Sequence, residues 1–201
     1  MRTVSHIISI LFHPMLMPTF GMFLILQSGS PLSLISYQAK QFILIVTVAS
    51  TAILPLTVLP LLYQFKIIKS FQMESAHERF IPILIAAFFY YMGYLLLSKM
   101  GAPSMLGKFI AASLISVLIA AIITCFWKIS IHLIGMGGVT GVILALSFRY
   151  GIDMFLLQIL LLTASALTAS ARLYLGAHKP AQVYAGYFCG LTIVFSTIVF
   201  V

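Results

Sequence analysis

Phe109–Trp127 reads FIAASLISVLIAAIITCFW, 19 consecutive residues without a charge and with only three hydroxyls. As a helix this stretch is roughly 28 Å long, close to the thickness of a bilayer's hydrocarbon core. Six more charge-free stretches flank it: Thr3–Ala39, Gln41–Phe65, Phe80–Ser98, Ile129–Phe148, Met154–Ala171 and Pro180–Val201. Each is long enough for about one span. Spanning β-strands would alternate polar and apolar residues, and these stretches do not. The chain therefore reads as an all-α, polytopic membrane bundle of six to seven transmembrane helices.

Composition agrees. Of 201 residues, 62% are hydrophobic and 7% charged, too little charge to cover a soluble domain of this size. The net charge of +8 comes from basic residues set singly between spans, the pattern of membrane topology and lipid headgroups. No basic run interleaved with aromatics exists, which argues against nucleic acid as a partner. Cys125 and Cys189 lie in apolar segments and suggest neither a disulfide framework nor a metal site. The first stretch lacks a small-residue cleavage site and is read as a retained helix.

The helices are expected at about 5–27, 41–65, 80–98, 105–126, 132–148, 153–171 and 181–200, forming a single domain. Proline removes a backbone hydrogen bond, so Pro14 and Pro18 should bend the first span, and Pro55 and Pro60 the second. Gly101-Ala102-Pro103 marks a turn. Seven spans place Arg2, Lys66, Lys69, Arg79, Lys128, Arg172 and Lys179 on one face and Lys40, Lys99, Lys108 and Arg149 on the other. Four of the first group, Arg79, Lys128, Arg172 and Lys179, fall in clusters that could carry chemistry, and setting them aside leaves three against four, so charge alone does not orient the bundle.

Three clusters share the first face: Glu78-Arg79-Phe80-Ile81-Pro82, Lys128-Ile129-Ser130-Ile131-His132, and Arg172 through Gln182. Guanidinium and imidazole groups gathered at one depth suit a phosphate, because arginine offers paired donors and imidazole can donate, accept or attack. In the third cluster Gly176 breaks the helix and Pro180 suits the first turn of the next one. His178 then stands at a helix N-terminus, where free N–H groups favour an anion. Gln182 lies within hydrogen-bonding reach of it. His6 and His13 read as interfacial or packing residues, and Gly135, Gly137 and Gly138 as helix-packing positions. With only Asp153, Glu74 and Glu78 as acids, enzymes that hold magnesium on clustered carboxylates and aspartyl intramembrane proteases are excluded.

The order Arg79 with Pro82, Ser130-x-His132, then Arg172-x5-His178-x3-Gln182 resembles the type 2 phosphatidic acid phosphatase superfamily over about residues 72–190. That family carries Lys-x6-Arg-Pro, Pro-Ser-Gly-His and Ser-Arg-x5-His-x3-Asp. Gln72 stands here at the lysine position, Ala171 at the serine, Ile129 and Ile131 flank Ser130, and Gln182 replaces the aspartate. The resemblance implies a metal-independent membrane lipid phosphatase without cofactor, expected in the inner membrane of a bacterium. His178 would be the nucleophile and His132 the general acid. Arg79, Arg172 and Ser130 would hold the phosphoryl oxygens and Gln182 would orient His178. Lys128 is read as the substitute for the missing lysine. The implied partner is a lipid phosphate; the alternative is a non-catalytic transporter or lipid-binding protein using the same cationic pocket.

Overall fold

The computed structural model describes residues 2–69 and 76–201. Gln72 and Glu74 lie outside the described residues. Nine α-helices are described: α1 (Arg2–Leu11), α2 (Met17–Leu26), α3 (Tyr37–Val48), α4 (Leu54–Gln64), α5 (Ala76–Lys99), α6 (Ser104–Phe126), α7 (Ile131–Tyr150), α8 (Phe155–Tyr174) and α9 (Pro180–Phe200). Two pairs form broken spans, α1 with α2 and α3 with α4. That leaves seven segments long and apolar enough to cross a membrane.

Both breaks fall at the prolines. Between α1 and α2 the chain makes a 3₁₀ turn at Pro14–Leu16, with His13 extended at its N-cap. Between α3 and α4 a π turn at Ala49–Ile53 precedes Pro55, whose missing N–H releases a carbonyl of the helix before it. The two breaks meet: the Thr51 hydroxyl donates to the Thr47 carbonyl at 2.8 Å and lies 3.4 Å from both the Met15 carbonyl and the Thr19 hydroxyl. Breaks at prolines would leave polar backbone unpaired in lipid; here the threonine supplies partners.

Helix α7 is the centre of the bundle, with 67% of its most apolar window buried against 22% for α8. Its partner is α9, and glycines permit their approach. A Cβ at Gly137 would collide with the Tyr187 carbonyl oxygen, and one at Gly190 with the Ile134 carbonyl oxygen. In lipid, where helices gain little from hydrophobic burial against each other, such backbone contact is a main source of association. The pair is also fastened at both ends. The Ser130 N–H donates to the Gln182 carbonyl at 3.2 Å, and Arg149 Nη1 donates to the Ile198 carbonyl at 3.0 Å, satisfying acceptors in the last turn of α9. The glycines after His132 are packing positions, as their spacing suggests.

Helix α1 is amphipathic in an unusual sense. Ser5 and Ser9 are buried, while Val4, Ile7, Ile10 and Leu11 are 57–68% exposed. Its polar stripe faces the bundle and packs along α8. Such a pattern suits a helix whose outer surface meets lipid and whose inner surface meets polar groups.

Candidate functional site

A cavity of about 250 Å³ is walled by residues from α5, α6, α7, α8, α9 and the break in the first span. His13, Arg79, His132, Arg172 and His178 supply its polar wall; Tyr90, Phe109, Ile134, Val139 and Val194 are among its apolar lining. Ser113 and Ser116 also line it, but their hydroxyls donate to the Phe109 and Ala112 carbonyls of their own helix. Among the described residues no Asp or Glu lines the cavity. The neighbouring Glu78 offsets part of the Arg79 charge, and the site keeps an excess of positive charge within an apolar surround. Two guanidiniums and three imidazoles on one cavity with apolar surroundings favour an anion.

Local sequence explains how His178 is held. Gly176, at φ +66°, takes a left-handed conformation that lets the chain leave α8 and enter α9. Pro180 then opens α9. Gln182 Oε1 accepts the Lys179 main-chain N–H at 3.0 Å, which identifies that atom as the carbonyl oxygen. His178 Nδ1 lies 3.3 Å from the same oxygen and can only donate to it. The proton is thereby assigned to Nδ1, and Nε2 is left with a free lone pair. Imidazole attacks through such a nitrogen.

His132 has the opposite arrangement. Its Nε2 is 3.2 Å from the Ser9 carbonyl, an acceptor only, so Nε2 carries the proton and Nδ1 is the open nitrogen. Ser9 also binds Arg172: its hydroxyl accepts from Arg172 Nη1 at 3.4 Å. One residue of the first helix thus orients two site residues. Arg172 Nε is buried and meets no partner among the described residues. A buried donor without an acceptor is costly, and an anionic ligand would satisfy it.

Burial, and then the nearby Arg172 charge, lower the His178 pKa from 6.5 to about 4; the Gln182 hydrogen bond opposes this only in part. The ring is therefore neutral from neutral pH down to about pH 4. A ¹⁵N NMR titration of His178 should show its transition there, and a midpoint near 6.5 would contradict the burial described. Between those two values the unfolded chain binds more protons than the folded one, so this group's contribution to stability is complete above pH 6.5 and declines as pH falls toward 4.

Of the seven residues singled out from the sequence, four line the cavity: Arg79, His132, Arg172 and His178. Gln182 stands behind His178 as expected. Ser130 does not reach the wall. It is fully buried at the N-cap of α7, with φ −84° and ψ 102°, and its hydroxyl meets no partner among the described residues. Its contribution is the main-chain bond to Gln182. Lys128, half-buried, also lies outside the wall, although its charge reaches His178. His13, read from sequence as an interfacial or packing residue, is in the wall, edge-on to His132 with ring centroids 5.7 Å apart. The His13-Pro14 pair at a helix break was the signal available for it. No protein-family model, curated protein or solved structure matches the chain.

Proposed function

We propose that the protein is a membrane lipid-phosphate phosphatase, working through a phosphohistidine as in the type 2 phosphatidic acid phosphatases. One observation carries the reading: His178, with its free Nε2, shares a cavity with His132 and two arginines, and that cavity continues into apolar surface between helices. The phosphate sits at the basic wall and the lipid tail along the apolar one.

In the first step His178 Nε2 attacks phosphorus, a P–N bond forms, and the ester P–O bond breaks. The departing alkoxide takes from His132 Nδ1 a proton that this nitrogen has first taken up from the monoanionic phosphate ester. In the second step water attacks phosphorus, its proton passes to His132, and the P–N bond breaks to release phosphate and neutral His178. Arg79 and Arg172 neutralise the phosphoryl oxygens throughout. Gln182 holds the His178 tautomer but adds no negative charge to stabilise its cationic form. Turnover slower than that of an aspartate-bearing site is expected.

The test is release of inorganic phosphate from phosphatidate or a polyprenyl phosphate in detergent micelles by the purified protein. Release that persists in excess chelator is the expected result. Binding of the lipid phosphate without any release would overturn catalysis in favour of a lipid-phosphate-binding protein.

A further inference from the structure

We infer that His13 is a direct ligand of the anion held in this cavity, so that the first span contributes to the site a group of its own. The inference rests on reading the cavity as a phosphate site, and deepens that reading.

The geometry has three independent parts. First, His13 lines the cavity and stands edge-on to His132, whose surroundings also include His178 and Arg172. His132 therefore has a second imidazole beside it in addition to the nucleophile. Secondly, the tautomer of His13 is set. The Met15 main-chain N–H points to His13 Nδ1 at 3.4 Å, so Nδ1 accepts and Nε2 carries the proton. A neutral ring in this form is a hydrogen-bond donor to an oxyanion and needs no change of charge to bind it. Thirdly, the turn bearing His13 is buttressed from both sides. Thr51 in the π turn reaches the Met15 carbonyl, and a Cβ added at Gly135 of α7 would meet Met17 Cγ at 2.7 Å. A side chain held between two packed elements is preorganised, and less of its binding energy is lost to ordering.

A packing histidine would need neither a cavity-facing position nor a fixed donor nitrogen. Here a helix is broken inside a membrane span to present the ring, and the backbone cost is met by a threonine from another broken span. Intramembrane imidazoles facing a polar cavity are usually functional for the same reason. The ligand chemistry is a tetrahedral oxyanion, the phosphate group of the lipid.

Orthovanadate, a phosphate analogue small enough to need no lipid tail, is the probe. Its affinity for the purified protein is measured by calorimetric titration, which does not depend on turnover. His13→Phe keeps the ring but loses the N–H and should bind vanadate roughly tenfold or more weakly, as expected for a hydrogen bond to a charged group. His13→Gln retains a side-chain donor and should recover most of the affinity. Each variant is first checked for an unchanged unfolding temperature; if the phenylalanine variant does not fold, His13→Asn against His13→Gln makes the same comparison of reach. Wild-type affinity in His13→Phe, or no vanadate binding by the native protein, would overturn the inference. If vanadate binding depends on His13 but lipid phosphates are never hydrolysed, the inference stands and the phosphatase reading alone fails.

Discussion

Replacing His178 with alanine should lower phosphate release from a lipid phosphate by about 10³-fold or more, to the background of the assay. The expectation follows from nitrogen assignments and not from proximity alone. Of the two imidazoles bound to oxygen acceptors, His178 is tied at Nδ1 and His132 at Nε2. His178 is also neutral down to about pH 4, so its lone pair is available at working pH. The decisive measurement is a rapid quench with ³²P-labelled substrate. Native protein should carry acid-labile label on histidine, and His178→Ala should carry none. Label that persists in the variant would move the attacking nitrogen to another ring of the wall.

The largest effect on stability is expected from Gly137→Ala and Gly190→Ala. Each methyl would be driven into a carbonyl oxygen of the facing helix, from Tyr187 and Ile134 respectively. A flexible side chain could move aside, but a helix backbone cannot move without shifting its neighbours. A loss of about 3 kcal/mol or more is expected, the upper range for overpacking. Gly107→Ala supplies the comparison, since its Cβ would meet Tyr94 Cε2 at 3.6 Å, an ordinary contact. Thermal unfolding in detergent should show a large fall for the first two and little change for the third. Equal effects at all three positions would contradict the close approach of α7 and α9. Activity should fall with stability in Gly137→Ala and Gly190→Ala, because α7 carries His132 and His178 stands just before α9.

How much of this was legible in the sequence varies by residue, for physical reasons. The seven spans were readable because each is a local property of about twenty residues, and a bilayer imposes length and apolarity on all of them. The Arg172–Gln182 segment was readable in detail because its logic is also local. A left-handed glycine, a helix-opening proline and a glutamine one turn after the histidine are enough to place the His178 ring and its tether. That Ser130 stays out of the cavity wall was not legible, because the start of α7 is tied by a main-chain bond to Gln182, 52 residues later. The place of His13 in the wall was not legible because His132 and Arg172, which face it, come from more than a hundred residues away. Nothing in Phe12-His13-Pro14 indicates that His132 will lie alongside. Ser9 was missed altogether, as one serine among several in an apolar helix. Its importance arises only when α8 and α7 bring Arg172 and His132 to it.

That double grip by Ser9 has a consequence for biogenesis. Helix α1 is made before α7 and α8, whose His132 and Arg172 it holds, and His178 and α9 are made after all three. A nascent chain that ends at α8 has neither His178 nor the Gln182 carbonyl that anchors the beginning of α7. The polar wall is thereby completed only when the segment entering α9 joins α1, α7 and α8.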